Sequence, residues 1–252
     1  MTRIMLGWML LLAVMPAIAG PVRVAVASNF LAPLERIAEA YVAQGGSALR
    51  ISAGATGQHY AQIINGAPYD IFLAADQVRP ERLVAEGYAR SGSRFTYAVG
   101  RLVLWAGPDA TLPPGGFAGL AVHPLRRLAI ANPELAPYGS AARQALQATG
   151  QWSALSGEVI QAQNVGQAFQ YLATANVSHA LVAASYTHLD NRPEGAWLPV
   201  DPDLHDPIRQ DAVILEQAPN PDGAERFMEF LRGPVAGEIL ARFGYQPIVE
   251  RP

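Results

Sequence analysis

The 252-residue chain has no cysteine, which excludes disulfides, thiolate zinc centres and cysteine nucleophiles together. Lysine is missing too, all 18 basic residues being arginine. That removes Schiff-base chemistry, lysine general bases and the lysine of a phosphate-binding P-loop; the bias reads as a property of the source genome and carries no functional weight. Charge is scarce, at 15% of residues with a formal net charge of −3, so a nucleic-acid partner held by phosphate neutralisation is not expected. The five histidines, His59, His123, His179, His188 and His205, show no HxH or HExxH spacing, and no metal centre is expected from them. Neither a repeat nor a sustained heptad is present. What the chain does have is apolar material, half of its residues, enough for a globular protein of one large or two small domains.

Residues 1–19 read MTRIMLGWMLLLAVMPAIA: one early arginine, an apolar run from Ile4 to Val14, then Pro16 and the small-x-small triplet Ala17-Ile18-Ala19. This is the pattern of a cleaved secretory signal, too short to span a bilayer comfortably and with no stop-transfer sequence behind it. A retained membrane anchor is the alternative. Export to a bacterial periplasm is expected, and a cysteine-free chain folds there without oxidative help.

From Val22 the sequence alternates between β-rich runs and helical patterns. Val22 to Ala27 is a strand that feeds the helical spacing Leu31, Leu34, Ile37, Tyr41. Leu49 to Ala53 is followed by the turn Gly54-Ala55-Thr56-Gly57 and the stripe Tyr60, Ile63, Ile64; Ile71 to Ala74 precedes a helix from Val78 to Glu86 closed by Gly87. Thr96 to Trp105 is a β-rich run broken at Gly100, and the proline- and glycine-rich stretch Pro108 to Gly119 is read as the first lobe crossing. A second α/β series follows, with strands at Leu128 to Ala131, Val159 to Gln161 and Ala180 to Ala183 and helices near Tyr138 to Ala148 and Val165 to Thr174. Asp201 to Asp211 reads as loop, Ala212 to Leu215 as a returning strand, and the tail as two helices either side of Gly233-Pro234. The expected architecture is α/β, a two-lobed periplasmic-binding-protein fold of type II-like form with two mostly parallel sheets, a hinge and an interlobe cleft. Lobe 1 is drawn as residues 20–97 plus 212–252 and lobe 2 as residues 98–211.

The candidate chemistry sits at strand-to-helix turns: Ser28-Asn29, Ala55-Thr56-Gly57, Pro137-Tyr138-Gly139 and Asn164-Val165-Gly166. A helix start carries unpaired N–H donors and about half a positive charge, so four of them aimed at one point make an anion site without ionic side chains. Each turn also has an ordinary explanation, since Ser28, Asn29 and Thr56 suit helix caps and the glycines suit turns. Catalytic readings are poorer. Ser28 lacks a glycine-framed elbow and a histidine tied to it by spacing. Asp70 and Asp76 read as structural hydrogen-bonding groups, Arg126-Arg127 as a solvated face, and Tyr97, Trp105 and Trp152 as packing aromatics.

In order along the chain, Ala27-Ser28-Asn29-Phe30, Gly54-Ala55-Thr56-Gly57-Gln58, the run Gly66-Ala67-Pro68-Tyr69-Asp70-Ile71-Phe72-Leu73-Ala74-Ala75-Asp76, Asn132-Pro133-Glu134, Pro137-Tyr138-Gly139, Gln163-Asn164-Val165 and the tail from Ala224 to Gly244 resemble the periplasmic molybdate-binding proteins of ABC-type importers. The similarity covers nearly the whole chain after residue 19. It implies that an oxyanion is held by the hydroxyl and backbone of Ser28, by Asn29, by the hydroxyl and backbone of Thr56, and by the backbones of Tyr138 and Val165, all touching oxygens of the anion rather than a metal directly. There are two departures: many relatives have serine at the position of Thr56, and a tyrosine that one branch uses is replaced by Ala183, with Tyr186 shortly after. The chain is similar to the branch in which an asparagine, here Asn29, supplies the missing donor.

The resemblance implies a non-enzymatic monomeric receptor that binds molybdate or tungstate, needs no cofactor, and passes its small inorganic oxyanion to the membrane permease of an ABC importer. A receptor for sulfate or another small anion remains an alternative at this stage, as does an exported hydrolase using Ser28.

Overall fold

The computed structural model describes residues 20–246. The expected signal segment, residues 1–19, lies outside the described residues. Strand β1 (Val22–Ala27), helix α1 (Leu31–Ala43), β2 (Leu49–Gly54), α2 (Thr56–Ile64), β3 (Ile71–Leu73), α3 (Val78–Ala85) and β4 (Phe95–Gly100) form most of the first lobe. Alternation along β1 is suppressed because both faces of its sheet are covered, and Val22, Val24, Ala25 and Val26 are fully buried. Leu34, Ile37 and Tyr41 turn one stripe of α1 into that core. Asp70 is a structural group, as expected: its carboxylate accepts the N–H of Arg23 and that of Asn220. Asp76 accepts the Arg79 N–H and pairs with the Arg79 guanidinium.

The second lobe contains β5 (Leu102–Ala106), β6 (Leu128–Ala131), α4 (Pro137–Ala148), α5 (Trp152–Leu155), β7 (Val159–Ala162), α6 (Val165–Ala173), β8 (His179–Ala183) and β9 (Ala196–Pro199). The chain then returns as β10 (Ile208–Ile214), followed by α7 (Pro221–Arg232) and α8 (Pro234–Arg242), which pack beside α1. The sheets run β2-β1-β3-β10-β4 and β7-β6-β8-β5-β9. In each sheet the first three strands are parallel, and the fourth, β10 or β5, lies antiparallel to its neighbours.

One expectation about the path of the chain is corrected. The crossing does not fall in Pro108 to Gly119 but at Arg101, where β4 ends in one sheet and β5 begins in the other. The stretch after Pro108 belongs to the second lobe, where Phe117 and Leu120 are buried in its core and the Gln151 side chain bonds both Phe117 and Ala121. Composition marks a surface turn equally well within a lobe and between lobes. Gly100 has a packing reason at this crossing, because any β-carbon there would collide with the phenol of Tyr138. The return strand likewise starts at Ile208, inside the segment read as loop.

The lobes are shut on one another. Ala27, Ala55 and Ala75 of the first lobe belong to the same apolar cluster as Ala136, Tyr138 and Val165 of the second.

Candidate functional site

Register decides where the helix starts go. Ala27 at the end of β1 lies opposite Gly54 at the end of β2, and Ala131 of β6 lies opposite Ala162 of β7. Parallel neighbours sit about 4.8 Å apart, so Ser28 emerges beside α2, and α4 and α6 emerge from adjacent strands. Two hydrogen bonds join the pairs across the seam. The Gly57 N–H donates to the Leu135 carbonyl at 2.8 Å, and the Gly166 N–H donates to the Ser28 hydroxyl at 3.1 Å. The four starts therefore form a closed ring at the carboxyl ends of the parallel strands, the place where open α/β sheets bind ligands.

The helix starts on this ring are poorly capped. The residues preceding α2 and α4 are Ala55 and Ala136, and neither provides a side-chain cap. Ser28 and Thr56 are not caps either: Thr56 is the first residue of its helix, and its hydroxyl accepts the Ala75 N–H at 3.1 Å. Asn164 does cap α6, but it takes the Gln167 N–H and leaves the Val165 N–H free. The first N–H groups of a helix have no intrahelical acceptor. Those of Ser28, Asn29, Thr56, Tyr138 and Val165 find none among the described residues. Four of these residues are almost wholly buried, with Asn29 and Thr56 at 1%, Tyr138 at 2% and Val165 at 3% exposure, so the N–H groups are sheltered from bulk water. Counting the Ser28 and Thr56 hydroxyls as well, the ring holds seven uncharged donor groups for which no acceptor is found among the described residues.

Asn29 takes part differently from the other four. Its side-chain amide donates to Gln210 Oε1 at 2.8 Å and to the Tyr245 hydroxyl at 3.0 Å, which leaves its backbone N–H as the donor without a partner among the described residues. Below it lies a polar layer that local sequence patterns could not reveal. Ser185 donates to the Asn29 carbonyl at 2.9 Å, Tyr245 donates to the same carbonyl at 3.2 Å, and Tyr97 shares its hydroxyl proton between the Ala74 carbonyl at 2.9 Å and Gln210 Oε1 at 3.2 Å. Tyr186, across the seam, donates to the Ser28 carbonyl at 3.1 Å. Burial holds the phenols of Tyr97, Tyr138, Tyr186 and Tyr245 above the usual tyrosine range, and they remain donors.

Cationic groups stay at the rim. Arg79, the arginine beside Gly57, is engaged by Asp76 and by the Glu134 carbonyl of the other lobe. It lines an open groove of about 620 Å³ together with Gly57, Leu135, Pro137 and Arg209.

Comparison with known proteins gives the family. Residues 22–246 match the family described as bacterial extracellular solute-binding protein. The chain is 42% identical over 229 residues to the molybdate-binding protein ModA of Azotobacter vinelandii, covering 90% of each sequence. It is 38% identical over 231 residues to ModA of Rhodobacter capsulatus, covering 92% of this chain and 90% of that one. The solved periplasmic molybdate-binding protein of Azotobacter vinelandii superposes with a TM-score of 0.86 at 38% identity, over 90% of this chain and all of that one. A two-lobed fold and a family match over residues 22–246 lead to one conclusion: the protein belongs to the bacterial extracellular solute-binding protein family.

Proposed function

We propose that the protein is a periplasmic receptor that captures molybdate, or tungstate as its near isostere, and delivers it to the permease of an ABC importer. The observation that carries this reading is the ring of neutral donors from both lobes. It suits a small tetrahedral dianion, which has acceptor oxygens on every side and no donor of its own. The names and extents of the relatives support the same cargo. Ser28, Asn29, Thr56, Tyr138 and Val165 bind it, with the Ser28 and Thr56 hydroxyls adding to the five N–H groups. Hydrogen bonds to a charged acceptor contribute roughly 1.5–3 kcal/mol each, so about seven exceed the cost of ordering and closure. The receptor acts without chemistry and without a cofactor, as a monomer reaching the periplasm by way of residues 1–19.

Discrimination against sulfate follows from size. A smaller tetrahedron cannot touch every donor of a ring set for longer metal–oxygen bonds, and each unmet donor costs about 1–3 kcal/mol. The hydrolase reading finds no support at Ser28, whose hydroxyl meets the Gly166 N–H, with no histidine among its hydrogen-bond partners. Competition calorimetry with molybdate, tungstate and sulfate tests the cargo: molybdate and tungstate should bind alike and sulfate far more weakly. Sulfate binding as tight as molybdate would end the metal-oxyanion reading.

A further inference from the structure

We infer that Tyr186 is a positioning residue for anion capture, acting through the Ser28–Asn29 peptide group and only when the lobes are closed. The inference rests on the function proposed above. A trans peptide directs its C=O and N–H to opposite sides. In this peptide the Ser28 carbonyl accepts the Leu31 N–H from its own lobe and, as a second donor from across the seam, the Tyr186 hydroxyl at 3.1 Å, while the Asn29 N–H is one of the proposed ring donors. A donor on the carbonyl draws electron density through the amide and strengthens the N–H on the far side, the mutual polarisation seen in hydrogen-bond chains. Ser185 and Tyr245 do not do this for Asn29. They end on the Asn29 carbonyl, whose peptide partner is the Phe30 N–H.

Tyr186 is held well for the task. It lies in the short 3-10 turn Ala184–His188 after β8, its ring stacks on Phe169 of α6 at 4.4 Å and 14°, and it is buried. Phe169 shares a helix with Val165, so the ring and one of the anion donors move together with the second lobe. Ser28 and Asn29 move with the first. The bond from Tyr186 therefore exists only in the closed form, and closure improves a donor that the first lobe already presents.

Three measurements test this. Tyr186→Phe removes one oxygen from a stacked ring; molybdate binding should weaken about 3–10-fold, the weight of one ordinary hydrogen bond, through faster release with unchanged capture. In amide NMR spectra the Asn29 proton should move downfield on adding molybdate to the wild-type chain and move less in Tyr186→Phe, whereas Ser185→Ala should leave that displacement intact. Phe169→Leu, which unseats the ring and keeps every hydroxyl, should weaken binding in the same sense. Wild-type release and a full Asn29 displacement in Tyr186→Phe would overturn the positioning role. Failure of the wild-type chain to bind molybdate would instead strike the function on which this rests.

Discussion

The two lobes share a strand order yet equip their halves of the ring differently. In the proposed site the first lobe contributes side-chain hydroxyls as well as backbone N–H groups, from Ser28, Asn29 and Thr56. The second contributes backbone N–H groups alone, from Tyr138 and Val165. Tyr138 follows Pro137 at the first turn of α4, a position where proline sacrifices no useful donor. Most of the donors thus sit on one lobe, and the other completes the shell. The difference suggests a division of labour in which the first lobe makes the initial encounter and the second controls release.

The comparison breaks most visibly at Thr56. Thr56→Val removes a hydroxyl from the donor-rich lobe and also orphans the Ala75 N–H. Molybdate affinity measured by calorimetry should fall by about 1.5–3 kcal/mol, and the ligand-free melting temperature should drop as well. A fall in melting temperature with unchanged affinity would remove Thr56 from the site.

On the second lobe the matching probe is Gly166→Ala. Its β-carbon would stand 3.1 Å from Ser28 Cβ, 3.2 Å from the capping Asn164 Oδ1 and 3.3 Å from the Tyr186 hydroxyl, pressing on the seam. An expected penalty of about 1–2 kcal/mol on closure should appear as faster molybdate release in stopped-flow measurements, with capture unchanged. Slower capture with normal release would reverse the division of labour.

The smallest expected effect is in acid. His59 in α2 and His179 in β8 are both held below the ordinary histidine value of 6.5, mainly by burial. Below pH 6.5 the unfolded chain therefore takes up protons that the folded chain refuses, and stability falls as pH drops through that window. The loss is complete once the folded protein titrates too. His59→Gln should flatten the first-lobe share of this decline in melting temperature, and His179→Gln the second-lobe share. An unchanged acid profile in both variants would place the sensitivity elsewhere.

Much of the fold was legible along the chain, because local apolar runs and turn residues report local structure. Val22 to Ala27, the stripe Leu34, Ile37 and Tyr41, and the turns after β1, β2 and β7 could all be read from spacing. The crossing at Arg101 was not, since β4 and β5 form one β-rich run and only pairing partners show that they lie in different sheets. Nor was the direction of the Asn29 amide, which depends on Gln210 and Tyr245, separated from it by 181 and 216 positions. Tyr186 was visible as a residue close to Ala183, but its contact with Ser28 spans 158 positions.

The amino-acid sequence by itself determined most of the elements, the export-like leader pattern and the chemical character of the site. Helix starts carrying hydroxyls and free N–H groups offer neutral hydrogen bonding as a means of holding an anion. Tertiary structure alone decided that the four starts meet, that the Asn29 amide is taken by Gln210 and Tyr245, and on which lobe each helix start lies. The physical reason is that a donor's identity belongs to one residue, whereas its direction and its partner are set by sheet register and lobe closure among residues far apart in the chain.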